Sequence, residues 1–238
     1  VEIHLDKKTM NEINEKLPEF RHIEVVTTTM VYFKNTNDML YLSRFSLNEY
    51  YRNKIWYFEK RNPPNIKAGL VLCQYYLDNI ALRLYAAGEF LANGIVSMLD
   101  IKKDELKEFK KGNNGKKYWS RQRKIGQYLR EKKPNHEITQ YLKILMDGDE
   151  NPWIKTMKYR NEWVHKQPPS LEGLGSCLEI KNKKIYSPLK GNTIDADIVI
   201  TGKPNYKLKD IFTFVNDGFS NFVKTFYKIY DYYKENTL

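Results

Sequence analysis

The stretch Asn151–Gln167, NPWIKTMKYRNEWVHKQ, carries helix punctuation at both ends. Asn151 is a favoured N-cap, and Pro152 suits the first helical position, where an amide hydrogen has no partner to lose. Pro168 and Pro169 cannot continue a helix, and a residue before proline is driven toward extended backbone. The spacing therefore predicts one helix. At about 100° per residue, Lys155, Lys158, Glu162 and Lys166 share one face, which is read as solvated. Trp153, Ile154, Met157 and Val164 share the opposite, apolar face. Arg160 falls between Met157 and Val164, Asn161 lies in the same arc, and His165 sits on its rim. An arginine and an asparagine on the inward side of an amphipathic helix break the local pattern. Such breaks gather at functional sites or in buried polar networks.

Working outward, Asp147-Gly148-Asp149-Glu150 reads as a turn feeding this helix, since it lacks the ligand spacing of a calcium loop. Glu137–Met146 predicts a short amphipathic helix on Ile138, Tyr141, Leu142 and Leu145. Ala68–Leu99 is the longest helical pattern, apolar on most faces, and reads as a central buried helix. Its polar residues Asp78, Arg83, Glu89 and Asn93 either pair with Arg160 or one another, or form a solvated stripe. Leu208–Tyr233 closes the chain with Ile211, Val215, Phe219, Phe222, Phe226, Ile229 and Tyr233 at three- and four-residue steps. This stripe is expected to pack on the long helix. Between the last two helices, Cys177–Lys181, Ile185–Tyr186 and Ile198–Thr201 read as strands of a small β insertion, about residues 171–206.

The first residues read differently. Glu24–Phe33, EVVTTTMVYF, is β-branched and aromatic and predicts a strand, with Val1–Leu5 as another. Asn37–Arg61 predicts a helix stopped by Asn62-Pro63-Pro64-Asn65. The expected organisation is an N-terminal extension over 1–62 and a helical domain over 63–238.

The chain has 238 residues, net charge +11 and 41% hydrophobic residues, which fits a globular protein with an anionic partner. Residues 101–134 hold thirteen Lys or Arg against Asp104, Glu105, Glu108 and Glu131. There Lys116, Lys117, Tyr118, Trp119, Arg121, Arg123 and Lys124 interleave cations with aromatics. Cations suit phosphates and aromatic faces suit unstacked bases, so RNA is the expected partner. Alternatively, the segment is a solvated helix with Tyr118 and Trp119 turned into the core. Cys73 and Cys177 are isolated and point to a reducing cytoplasm. His4 and His22 read as incidental. Neither a secretory signal nor a membrane span is expected, because Leu70–Leu99 contains Asp78, Arg83 and Glu89.

Arg160-Asn161-Glu162-Trp163-Val164-His165 resembles the R-x4-6-H motif of the HEPN superfamily, including the polar residue after the arginine. Arg130 and His136 fit the same spacing, but Pro134 lies between them and Glu131 follows the arginine. The resemblance covers residues 68–238 by element order. It implies a mainly α, HEPN-like bundle, a homodimer, and metal-independent endoribonuclease activity without a cofactor, as in toxin–antitoxin and defence systems. It further implies an antitoxin or regulatory protein as a possible partner class. Arg160, Asn161 and His165 would be catalytic. Histidine serves as acid or base near neutral pH, and arginine grips phosphate with two donors. One histidine per chain cannot readily fill both proton-transfer roles, and a second motif across a dimer interface would supply the other. The tyrosine that some family toxins carry two residues after the histidine is Gln167 here, so that regulation is not carried over. The competing reading is a non-catalytic bundle that binds RNA or a protein, with Arg160 and Asn161 in a polar network and His165 at the helix end.

Overall fold

The computed structural model describes the backbone of residues 7–59, 65–110, 121–148, 150–165, 170–174, 177–180, 184–187, 192–195, 198–201 and 204–237. Side chains are described for these residues outside 7–21, 110, 237 and the strands. The described chain is mainly helical. It contains α1 (Lys7–Lys54), a π-helical turn (Ile55–Glu59), α2 (Ile66–Met98), a 3-10 turn (Glu108–Lys110), α3 (Arg121–Lys132), α4 (Glu137–Met146), α5 (Pro152–His165) and α6 (Leu208–Thr237). Four short strands precede α6: β1 (Cys177–Ile180), β2 (Lys184–Ser187), β3 (Asn192–Asp195) and β4 (Ile198–Thr201). β1 pairs antiparallel with β4, from Cys177↔Thr201 to Ile180↔Ile198. β2 pairs antiparallel with β3, from Lys184↔Asp195 to Ser187↔Asn192, so one ladder is nested within the other. β3, which Asn192 opens, was not among the expected strands. No helix among the described residues is long and apolar enough to cross a membrane.

The expected strand over Glu24–Phe33 is corrected by α1, which runs unbroken through it. Thr29, Phe33, Thr36, Leu40 and Ser43 are buried at three- and four-residue steps, the period of a helix face. β-branched residues cost a helix only about a few tenths of a kcal/mol each, whereas burying a ring such as Phe33 stabilises by about 1.5–3 kcal/mol. The Thr36 hydroxyl is satisfied locally, donating to the Tyr32 carbonyl at 2.9 Å. Farther along α1 the inward residues are Ser43, Ser46 and Tyr50, while Phe45 and Tyr51, and Ile55 of the π-helical turn, are exposed. The expected strand Val1–Leu5 lies outside the described residues.

The residues group into two compact units, each drawing on α1, α2 and α6. The first comprises Val1–Leu42, Arg83–Gly148 and Ser220–Leu238. Its core centres on Phe33, whose ring meets Phe226, Tyr230 and Tyr233 edge-on at 5.3–6.1 Å. The aromatic stripe of α6 thus meets α1 here. Gly94 lets α2 come close, since a Cβ there would lie 2.6 Å from Phe33 Cε1. α2 ends in a left-handed cap at Asp100 (φ 46°), with Ile101 N–H donating to Val96 O and Asp100 N–H to Ser97 O.

The second unit comprises Ser43–Leu82 and Asp149–Phe219. Tyr50, Cys73, Leu77, Ile80, Trp153, Tyr159, Leu171, Ile211 and Val215 form its buried core. Tyr50 stacks on Phe212 with ring centroids 4.9 Å apart. The β insertion is closed at its base: Glu172 N–H donates to Tyr206 O at 3.0 Å, and Tyr206 N–H donates to Ser170 O at 3.2 Å.

Candidate functional site

α5 begins as its sequence dictates. Asn151 Oδ1 accepts from Trp153 N–H at 2.9 Å, and Asn151 O accepts from Lys155 N–H at 3.0 Å. Lys155 pairs with Glu150 beside the cap. The Thr156 hydroxyl lies 2.8 Å from Pro152 O and 2.9 Å from Phe214 O, so its single proton can serve either carbonyl. Gly218 of α6 makes that approach possible, because a Cβ there would meet Thr156 Oγ1 at 2.8 Å.

The face of α5 that is buried differs from the expected one. Trp153, Thr156 and Tyr159 are buried, while Ile154 and Met157 are half-buried and Val164 is 40% exposed. The inward face is rotated by roughly 100° from the Trp153–Met157–Val164 arc. The physical reason lies in Thr156 and Tyr159. A hydropathy count treats both as polar, yet Thr156 satisfies its hydroxyl on backbone and Tyr159 is mostly apolar ring with one polar tip. That tip donates to Asp78 of α2. Burial pushes the Asp78 carboxyl up to about 6, with the Tyr159 hydrogen bond working against it, and burial also raises the Tyr159 hydroxyl.

The rotation brings the motif toward solvent. Asn161, expected in the inward arc, is exposed, as is His165 from its rim, whereas Arg160 is half-buried with its Nε inside. Arg160 Nη1 donates to Asn161 Oδ1 at 3.0 Å and stands 3.4 Å from His165 Nε2. A guanidinium can only donate, so in a hydrogen bond between the two groups Nε2 is the acceptor. The three residues therefore converge at the C-terminal end of α5. Glu162 has a separate partner: Tyr206 donates its hydroxyl to Glu162 Oε2 at 2.8 Å. Burial, and then that bond, raises the Tyr206 hydroxyl.

The expected RNA-binding residues fall differently. Lys116, Lys117, Tyr118 and Trp119 lie outside the described residues. Arg121 starts α3 in the first unit, where its N–H and that of Gln122 donate to the two oxygens of Glu89 at 3.1 and 3.4 Å. Arg121 Nε donates to Asn93 Oδ1 at 3.0 Å. Glu89 thus acts as a long-range cap, and Arg121 is held against α2 rather than presented as a bare cation. Arg123 is exposed and Lys124 is half-buried. Arg130 and Asp147 form an ion pair, and Lys132 approaches Glu108 at 3.8 Å, so part of this segment's charge is balanced within the unit. Of the polar residues on α2, Asp78 therefore serves Tyr159, while Glu89 and Asn93 serve α3.

Sequence reading passed over Tyr159 and Tyr206, and left Asp78 to pair with Arg160, with its polar neighbours on the long helix, or with solvent. The row Trp153, Thr156, Tyr159 at three-residue steps is the signal that could have found the first of them. Among the described residues, no group of three or more His, Cys, Asp or Glu side chains is placed to hold a metal ion. No protein-family model, curated protein or solved structure was found to match the chain, so the reading of this site rests on its own residues.

Proposed function

We propose that the chain is a metal-independent endoribonuclease of HEPN-like type, acting through Arg160, Asn161 and His165. The observation that carries this reading is the convergence of Arg160 Nη1 with Asn161 Oδ1 and His165 Nε2 at the exposed end of α5. Cleavage by the RNA's own 2′-hydroxyl needs a base for that hydroxyl, charge stabilisation at phosphorus and a proton for the leaving 5′-oxygen. His165 suits the base role once a phosphate draws the guanidinium away. Arg160 suits the developing charge, and Asn161 orients it. A second copy of the chain supplies the acid, which makes the active species a homodimer. The excess of nine positive charges in residues 101–134 supplies long-range attraction for RNA. The pathway class proposed is a toxin or defence system with a protein regulator, in the cytoplasm.

The test is a mixed single-stranded RNA pool incubated in excess EDTA. Products ending in 2′,3′-cyclic phosphate support the reading. Cleavage that appears only on adding a divalent ion contradicts it. The second reading, a bundle that binds RNA or a protein without cutting, is favoured by Phe45, Ile55, Trp56, Val71 and Tyr75 of the second unit, large apolar side chains that are each more than half exposed.

A further inference from the structure

Two tyrosine hydrogen bonds bracket Arg160 within the second unit. The residue before it, Tyr159, is 1% exposed and donates to Oδ1 of Asp78 on α2. Glu162, two residues after it, accepts from the hydroxyl of Tyr206, which lies where the β insertion rejoins the bundle. The two tyrosine rings also meet edge-on, with centroids 5.3 Å apart and planes at 86°. Phe214 of α6 packs against both. The groups facing the buried carboxyl and the two hydroxyls are therefore Gln74 and Asp78 on α2, Tyr159 and Glu162 on α5, and Tyr206 beyond the insertion. Burial raises both hydroxyls, so both remain donors across the working pH range.

We propose that this two-tyrosine clamp is the positioning element of the Arg160–His165 site, fixing the rotation of α5 and with it the direction from which the guanidinium meets phosphate. The inference rests on the ribonuclease reading given above. Its physical basis is leverage. A side-chain tip lies roughly 6 Å from a helix axis, so a turn of about 10° moves it by about 1 Å. A displacement of that size can cost up to about a hundredfold in rate. α5 has 14 residues, too few to hold its own rotation, and the motif runs from the half-buried Arg160 to the exposed Asn161 and His165. The clamp ties α5 on both sides of Arg160 by directional bonds, which apolar packing alone does not provide.

The test compares wild type with Tyr159→Phe and Tyr206→Phe in cleavage of single-stranded RNA in EDTA, reading kcat and KM separately. In parallel, the Nε–Hε resonance of Arg160 is followed by NMR from about pH 4.5 to about pH 7.5, the interval across which a carboxyl like Asp78 titrates. Each Phe variant should lower kcat by about tenfold or more with KM within about twofold. Asp78→Asn and Glu162→Gln each keep an acceptor oxygen and should retain most of kcat, whereas Glu162→Ala should behave like Tyr206→Phe. The Arg160 resonance should move in both Phe variants and in Glu162→Ala, and keep its wild-type position in Asp78→Asn and Glu162→Gln throughout that interval. The inference is overturned if both Phe variants, folded, cut like wild type or lose only KM, or if the Arg160 resonance ignores every substitution. Should a Phe variant fail to fold, the Glu162→Gln and Glu162→Ala pair decides on the same criterion. A wild type that cuts nothing, but whose Arg160 resonance still moves in both Phe variants, removes the ribonuclease reading and leaves the clamp standing.

Discussion

Tyr159 donates its hydroxyl to Asp78 inside the core of the second unit, where Asp78 is only 9% exposed. The bond satisfies one carboxyl oxygen but does not offset the burial, and the carboxyl is pushed from its ordinary 3.8 up to about 6. Below about 3.8 the group is neutral in both folded and unfolded chains. Between 3.8 and about 6 the folded chain holds a proton that the unfolded chain has released. Stability from this group is therefore present at low pH and lost as pH rises through about 6. Asp78→Asn keeps an acceptor for Tyr159 without the charge. Urea unfolding should show it more stable than wild type by about 2–3 kcal/mol near pH 7.5, with the difference vanishing near pH 4. Equal differences at the two pH values would rule out this account of the pair.

Two backbone positions predict opposite signs. Asp100 holds a left-handed φ of 46° in the cap that ends α2, a conformation glycine adopts freely. Asp100→Gly should raise stability by about 0.5–1 kcal/mol. Gly94 is inside α2, where alanine is normally better by about 1 kcal/mol. Here the new Cβ would meet Phe33, which three aromatic rings hold in place. Overpacking of that kind costs about 1–3 kcal/mol, so Gly94→Ala should be a net loss. Thermal unfolding of both variants checks both signs.

His136 caps α4 by accepting the Ile138 amide at Nδ1, at 3.2 Å. That role requires a bare Nδ1. Burial, and then the charge of Lys133, hold the imidazole below its ordinary 6.5. The cap's contribution is therefore present above about 6.5 and lost as pH falls through the lower folded value. His136→Asn caps without titrating. Amide hydrogen exchange in α4 should quicken on acidification in wild type and stay level in the variant. Parallel acid sensitivity in both would contradict the cap role.

How far the sequence carried is clearest at single residues. Asn151, Pro152 and the proline pair after Gln167 delimited α5, and Glu137–Met146 and the α6 stripe were legible because each has one apolar face and plain ends. The Thr-rich start of α1 was not legible. Its inward face is built from Thr29, Thr36 and Ser43, residues whose burial depends on what packs against them. The rotation of α5 was hidden for a related reason: the buried Tyr159 has its hydroxyl accepted by Asp78, which is distant in sequence. Arg160, Asn161 and His165 were singled out together, but the exposure of Asn161 and His165 beside a half-buried Arg160 is not written in the local spacing. Arg121 was expected to bind RNA, and nothing local announces its partners Glu89 and Asn93.

The most direct measurement is cleavage of a mixed single-stranded RNA pool in excess EDTA by wild type, Arg160→Ala and His165→Ala at matched folding. The expected result is cyclic-phosphate products from wild type and a fall of at least about a hundredfold in both variants, the size of loss that follows removal of an acid–base group or a charge stabiliser. Equal cleavage by all three proteins, or none by any, would contradict the claim that Arg160 and His165 carry the chemistry.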